Sequence, residues 1–154
     1  TDGKKTWCEK RDGSKYEPAP LKNKNLHEMT LVTSKNHGNE TLSNLIQKIN
    51  FCKVKIMGSI GCKIASIVQG ECDIYICLSL PGNSSPKDWD FAAPESILKA
   101  AGGAITNLDN RELSYGQTNF QQGGVIVATS NKNTHGKICL EIKKIIEDNG
   151  IYPL

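Results

Sequence analysis

Short apolar runs alternate with segments of helical periodicity along most of this chain, and that order limits the folds it can adopt. Strand-like runs lie at 29–33, 53–56, 74–78, 104–108 and 124–129, with a shorter one near Leu113. Helical segments lie at 40–50, from Ser59 or Gly61 to 68, at 90–101, and in a last stretch that ends at Asn149-Gly150. Strands that alternate with helices bury both kinds of element by packing the helices against a sheet. We therefore predict an α/β fold, a layered sandwich in which a mixed sheet carries helices on both faces.

Residues 1–28 precede this alternation and are polar, with two prolines. We predict irregular chain there, with one short strand near Thr6-Trp7. The predicted division is an irregular lead-in at 1–28, which would link to a preceding segment, and an α/β domain at 29–154. Inside that domain Val54 and Ile56 alternate with lysines, a pattern typical of a half-buried strand.

Composition excludes several classes of protein. A length of 154 residues suits one domain with a real core. The net charge of +3 suits an anionic small substrate and does not demand nucleic acid. No apolar run approaches the roughly 18 to 20 residues of a membrane-spanning helix. The six cysteines form no Cys-x-x-Cys pair, which favours buried free thiols in a cytoplasmic protein.

The stretch from Asp88 to Gly103 places an acidic residue where an apolar loop turns into an apolar helix, which ends at a pair of glycines. Asp90 lies where the loop becomes helical, so its carboxylate would meet the free N–H groups and the positive end of the helix dipole. Spacing alone favours an ordinary N-cap. A carboxylate held rigidly at such a junction could also serve as one member of a magnesium-binding cluster.

Gly58 to Lys63 forms a second junction between a strand and a helix. Its small residues would let backbone N–H groups approach an anion, and Lys63 would add a positive charge. The Gly-Lys-[Ser/Thr] ending of a Walker loop is absent. On residue type alone, Ser59 is an N-cap and Lys63 a solvated helix residue.

Three histidines are the remaining candidates for acid–base or phosphate chemistry. His37 follows a strand-like run and Ser34 in a polar loop, where it could bond a phosphate or a ribose, stack on a base, or simply be exposed. His27 and His135 have no motif around them, so we predict that both lie at the surface.

Three segments together resemble one known family. Trp89-Asp90, followed by Ala93, Ile97 and the Ala-Gly-Gly at 101–103, is similar to the second signature of the inositol monophosphatase superfamily. The segment 58–63 is similar to the family's Gly-Ser-x-x-x-Lys helix. Ser34-Lys35-Asn36-His37 resembles the Ser-Arg-Ser-His loop of its 3′(2′),5′-bisphosphate nucleotidase branch, and Ala-Pro-Glu at 93–95 points to the same branch.

The resemblance implies a magnesium-dependent phosphatase that converts adenosine 3′,5′-bisphosphate to AMP and phosphate in sulfate assimilation. It implies that Asp90 is a catalytic residue and a ligand of Mg²⁺ that also contacts the substrate. The nucleotide would be bound by four further residues: Ser34, His37, Ser59 and Lys63. Trp89 would pack under the active site, and Tyr75 and Tyr115 would lie in the core or at the rim.

The family's first signature, Asp-Pro-[Ile/Leu]-Asp-Gly-Thr, supplies most metal ligands, and it does not occur in this sequence. The resemblance therefore predicts that this chain is the C-terminal half of a longer enzyme, with the N-terminal half as its partner. Alone it should be inactive and should expose an apolar patch that favours self-association. Two alternatives stay open: inositol monophosphatase or fructose-1,6-bisphosphatase activity, and a non-catalytic nucleotide-binding domain.

Overall fold

A computed structural model describes residues 1–34, 40–79 and 85–151, and it contains the predicted central sheet. Its strands in chain order are β3 (Thr30–Ser34), β4 (Lys53–Met57), β5 (Ile74–Ser79), β6 (Ala104–Asn107) and β7 (Gly124–Thr129), preceded by a hairpin of β1 (Cys8–Glu9) and β2 (Lys15–Tyr16). The five strands of the sheet lie in the order β4-β3-β5-β7-β6. β4, β3 and β5 are parallel, and β7 is antiparallel to both of its neighbours. The mixed sheet is confirmed.

In the described ranges, four helices cover this sheet, two on each face. They are α1 (Glu40–Ile49), α2 (Ile60–Val68), α3 (Asp88–Ala100) and α4 (Lys132–Asn149). α1 and α4 share one hydrophobic core with Leu31 and Ile74, whereas α2 and α3 share the other with Val32 and Tyr75. Because neighbouring residues of a strand point to opposite faces, each inner strand contributes to both cores. The predicted layered sandwich is confirmed.

The edge strand β4 differs from its prediction as a half-buried strand. Val54 and Ile56, the apolar residues of the alternation, are exposed, Ile56 to 63%. They share a face with Leu31 and Thr33 of β3, but neither belongs to the core under α1 and α4. The pattern correctly predicted a strand but the wrong burial, because the β4 residue that packs against a core is Met57, which lies on the other face, towards α2 and α3.

The lead-in is more ordered than its composition predicts. The hairpin strand β1 begins at Cys8, just after the strand predicted near Thr6-Trp7. The Thr6 hydroxyl donates to the Ile97 carbonyl of α3 at 3.1 Å. A short 3₁₀ turn, Leu26–Glu28, brings Leu26 into the core beneath α1 and α4. The lead-in therefore packs against the domain.

Residues 108–123, which we call the strap, connect β6 to β7 across the face of α3. The strand predicted near Leu113 is wrong, because the strap is not paired in the sheet there. Leu113 packs against the core under α2 and α3 instead. Hydrogen bonds to the carboxylates of Asp88 and Glu95 in α3 hold the strap in place of the expected strand ladder.

His135 was predicted at the surface and is fully buried, between α4 and the sheet. Its Nε2 lies 2.8 Å from the Thr106 hydroxyl and its Nδ1 lies 2.8 Å from the Thr129 hydroxyl. Burial lowers the pKa of His135 to about 4. The imidazole is therefore a neutral structural group at ordinary pH. His27 is exposed, as predicted.

The cysteines are free, as predicted, although they are not all buried. Cys72 and Cys139 lie in the two cores, whereas Cys52 and Cys62 are exposed. Cys52 precedes the uncovered edge strand and Cys62 lies on the outer side of α2. Within the described ranges, no helix is both long enough and apolar enough to span a bilayer.

Candidate active site

The parallel strands bring three of the sequence-predicted segments to one edge of the sheet, the edge at which β3, β4 and β5 all end. We call it the crevice edge. Ser34 ends β3 beside Met57, the last residue of β4, so Ser59 lies at the same edge. β5 runs parallel to β3 and also ends there, before the segment that leads to Asp90 and α3. The chain leaves β3 for β4 on one side and then crosses to β5 on the other, with α1 and α2 on opposite faces. Such a change of direction opens a crevice at the carboxyl ends of the strands, where α/β proteins bind ligands.

At this edge α2 begins with a capped and exposed turn. Ser59 is the N-cap, and its hydroxyl accepts the Cys62 N–H at 3.1 Å. This confirms the capping interpretation of Ser59. The other N–H groups of the first turn face the crevice end of the helix, where the dipole favours an anion. The use of Ser59 in substrate binding stays a prediction.

On residue type alone Lys63 was expected to be solvated, but its side chain is buried, with 1% exposed. Its ammonium donates to the Gly58 carbonyl at 2.7 Å and lies 5.3 Å from the centroid of the Tyr75 ring. Burial lowers the pKa of Lys63. The ammonium therefore holds the turn that carries Ser59, and in this arrangement it is directed at backbone and ring. A direct contact with substrate stays a prediction.

Asp90 occupies a different helix position from the predicted N-cap. α3 begins at Asp88, so Lys87 is the N-cap residue and Asp90 lies in the first turn. The Asp90 Oδ2 accepts the Lys87 backbone N–H at 2.8 Å, which is one half of a capping box. Its Oδ1 accepts no hydrogen bond from the part of the chain that the structure describes. One oxygen thus supports the helix, and the other can bind a further group.

Asp88, which the motif analysis did not single out, fastens the strap to α3. Its Oδ2 accepts the Gly116 N–H and its Oδ1 accepts the Gln122 amide, each at 2.6 Å. The Gln122 amide also donates to the Ser114 carbonyl at 2.8 Å. An acidic residue in the first turn of a helix was the available signal, but the partners lie 28 and 34 residues away.

Glu95, the acidic residue of Ala-Pro-Glu, provides a second attachment for the strap. This buried carboxylate accepts the Tyr115 hydroxyl and pairs with the Lys99 ammonium at 2.7 Å. Desolvation and the neighbouring carboxylate raise the pKa of Tyr115, so its hydroxyl stays protonated and donates. Tyr115 lies at the rim and Tyr75 is in the core, as predicted.

Trp89 was predicted to pack under the site and is 66% exposed. Its ring contacts that of Phe120 of the strap, which is 51% exposed, with ring centroids 6.0 Å apart and ring planes at 45°. The prediction failed because Trp89 follows Asp88 on the helix, and it is Asp88 and Phe91 that face inward. Trp89 directly precedes Asp90 in the first turn of α3.

The structure thus brings Ser34, Ser59, Lys63 and Asp90 to the crevice edge of the sheet. His37 falls outside the described residues. In the described part of the chain, no cluster of three or more histidine, cysteine, aspartate or glutamate side chains could hold a metal ion. The spare oxygen of Asp90 fits one position of the octahedral, oxygen-only coordination of Mg²⁺, and the described residues do not fit the remaining positions.

A comparison with known protein families identifies the chain. The model of the inositol monophosphatase family matches residues 1–147. The chain belongs to that family. The match begins at residue 1, so the lead-in is part of the family's sequence pattern.

Among curated members of the inositol monophosphatase family, nucleotidases are close relatives. The 3′(2′),5′-bisphosphate nucleotidase CysQ of Buchnera aphidicola is 36% identical over 115 residues, covering 71% of this chain and 38% of its own. The mouse 3′(2′),5′-bisphosphate nucleotidase 1 is 32% identical over 103 residues, covering 66% of this chain and 32% of its own. The Xenopus laevis inositol monophosphatase 3 is 28% identical over 106 residues, covering 64% of this chain and 29% of its own. This chain spans about a third of the length of these relatives.

Solved structures of the inositol monophosphatase family share the fold. The staphylococcal SaIMPase-II bound to inositol monophosphate matches with a TM-score of 0.66 at 22% identity, over 88% of this chain and 49% of its own. The same enzyme bound to 2′-AMP matches with a TM-score of 0.61 at 18% identity, over 94% of this chain and 56% of its own. These similarities confirm the predicted fold.

Proposed function

We propose that the chain supplies the C-terminal half of a magnesium-dependent phosphatase that hydrolyses adenosine 3′,5′-bisphosphate to AMP and phosphate. The observation that supports it most is Asp90, a carboxylate with one unused oxygen at the crevice edge, within a family whose named relatives include nucleotidases. The role would be in sulfate assimilation in the cytoplasm.

The proposed reaction assigns a separate task to each residue at the crevice. Asp90 would hold Mg²⁺ through its unused oxygen, while its other oxygen stays bonded to the Lys87 N–H. The ion, when bound, would stabilise the negative charge of the phosphoryl oxygens. Ser59 and the first turn of α2 would receive an anionic group of the nucleotide, and Lys63 would keep that turn in place from beneath.

Ser34 and His37 would complete the nucleotide site from the end of β3. The N-terminal half of the same enzyme would supply the carboxylates that are missing from this chain and close the opposite wall of the crevice. Without that half, one carboxylate cannot replace enough of the hydration shell of Mg²⁺ to bind it well. The open apolar surface would then favour self-association or a partner chain.

Two measurements test this proposal: release of phosphate, and calorimetry of Mg²⁺ binding. Each is made on this chain alone and on this chain together with the proposed N-terminal half. The 154-residue chain alone should bind Mg²⁺ more weakly than about 1 mM and release no phosphate. With its N-terminal half it should hydrolyse adenosine 3′,5′-bisphosphate, and His37→Ala should impair this reaction much more than hydrolysis of inositol 1-phosphate. His27→Ala, the same change at an exposed histidine, is the matched control.

Three results would contradict the proposal. Preference for inositol 1-phosphate would assign the chain to the other branch of the family. Nucleotide binding without turnover in the complete protein would make it a binding domain. Turnover by the isolated chain would show that the ligand set is complete without another half.

A further inference from the structure

The strap holds its tip in an unusual backbone conformation. Asn119 and Phe120 are consecutive residues other than glycine in the left-handed region, with φ of 63° and 53°. Asparagine tolerates this region, whereas phenylalanine adopts it at an energetic cost. Such strain persists only where the surrounding structure enforces it, and it is concentrated at functional sites.

Polar contacts with α3 enforce this conformation from two sides. The Lys87 ammonium donates to the Asn119 carbonyl at 3.0 Å, and the Lys87 backbone bridges to Gln121. Beyond the tip, Gln122 is bound to Asp88 at 2.6 Å. The tip is therefore fixed before any ligand arrives, and Phe120 is directed towards Trp89.

The fixed tip leaves two aromatic rings in solvent instead of burying them. Each ring can bury only about 150–250 Å². A stable protein interface needs at least roughly 1,000 Å². Trp89 and Phe120 alone are too small for such an interface, but a single planar ligand ring can stack on one of these exposed rings while it contacts the edge of the other. Aromatic side chains of this kind bind nucleobases by stacking.

We propose that Trp89 and Phe120 form a stacking platform for the base of a purine nucleoside phosphate. This inference rests on the proposed function and deepens it. Trp89 of the platform and Asp90, the carboxylate that would serve the phosphoryl group, belong to the same first turn of α3. Inositol phosphate has no aromatic face, so the platform selects nucleotides.

Tryptophan fluorescence tests the platform without any turnover. The chain contains two tryptophans, Trp7 and Trp89. In the Trp7→Phe variant the remaining reporter is Trp89, and AMP should quench its emission, whereas ribose 5-phosphate and inositol 1-phosphate should not. Adding Phe120→Ala to that variant should weaken AMP binding at least about fivefold. In the matched control, Trp89→Phe, the emission of Trp7 should not respond to AMP.

Three outcomes would overturn the platform. Equal quenching by ribose 5-phosphate would mean that the base is not recognised, and quenching of Trp7 in the control would mean that the effect is unspecific. The Trp89 emission could instead shift to the blue as the protein concentration rises and show no response to AMP. That result would assign the rings to a protein contact. If the complete enzyme still prefers adenosine 3′,5′-bisphosphate in those cases, the platform is wrong and the proposed function stands; if that preference is also absent, the function fails.

Discussion

The two edges of the sheet differ in how their polar groups are used. At the edge where β3 and β5 begin, which we call the closed edge, polar side chains are bonded to other parts of the same chain. Asp73 accepts the Lys24 ammonium at 2.7 Å and the Thr30 N–H at 2.8 Å. Asn131 donates there to the lead-in, and His135 lies between two threonine hydroxyls. At the edge where these strands end, Asp90 keeps one oxygen unused and Trp89 stays exposed.

This difference distinguishes polar groups that serve the fold from those that are available for chemistry. A buried polar group must be paired within the chain, and removing its partner costs free energy. A group with spare bonding capacity at an open crevice contributes less to stability and can bind a ligand. Groups that are paired within the chain should therefore control stability, and Asp90, with its unused oxygen, should control activity.

The largest expected effect is on turnover at the crevice edge. Asp90→Asn should reduce the turnover of the complete enzyme on the order of 100-fold or more, because it removes the charge that would hold the metal. The free energy of unfolding should hardly change, since an amide oxygen can still accept the Lys87 N–H. Equal phosphate release by both proteins would reduce Asp90 to a helix cap.

Asp88→Asn is the matched control, two residues earlier in the same turn. Both Asp88 oxygens accept hydrogen bonds, and an amide would place one donor against another. We expect a loss of about 1–3 kcal/mol in the free energy of unfolding, measured by urea denaturation. If the stability losses of the two variants were reversed, the contrast between the groups would be wrong.

At the closed edge, the next effect is a dependence of stability on pH. The pKa of His135 is about 4 in the folded chain and near its ordinary value of 6.5 when unfolded. The unfolded state therefore takes up the proton first as the pH falls. The stabilisation is complete above about pH 6.5 and is lost towards pH 4, with about 2 kcal/mol gone by pH 5. Urea denaturation at pH 7 and pH 5 measures it.

His135→Gln provides the control for this pH dependence. A glutamine amide can still bond to Thr106 or Thr129, but it does not titrate. The variant should be less stable at pH 7 and should lose about 2 kcal/mol less than the parent chain between pH 7 and pH 5. If the free energies of unfolding of the variant and the parent chain fell in parallel with falling pH, groups other than His135 would cause the acid sensitivity.

The smallest expected effect is at the strap. Tyr115→Phe removes the hydroxyl that bonds to Glu95 and leaves the Lys99 pair in place. Since one hydrogen bond is lost, the free energy of unfolding should fall by about 1 kcal/mol. Tyr16→Phe, at an exposed tyrosine of the hairpin, should have a smaller effect in the same urea titration. Equal losses would mean that the strap is not fastened through Tyr115.

The sequence was sufficient for the order and type of the main elements, because their apolar periods directly reflect which face is buried. It was insufficient for His135, whose partner Thr106 lies 29 residues earlier in the chain. Burial of Lys63 depends on the neighbouring Tyr75 ring, and exposure of Trp89 depends on which side of α3 the strap covers. These properties arise from contacts between distant segments, which periodicity does not encode.

The crossover of the chain beside β3 also has an evolutionary consequence. Ser59 and the strap tip lie at the crevice without belonging to either hydrophobic core. Substitutions there can alter which phosphate ester is recognised without repacking the interior. Related proteins that share this scaffold can therefore diverge in substrate by a few changes at one rim, while their interiors diverge independently.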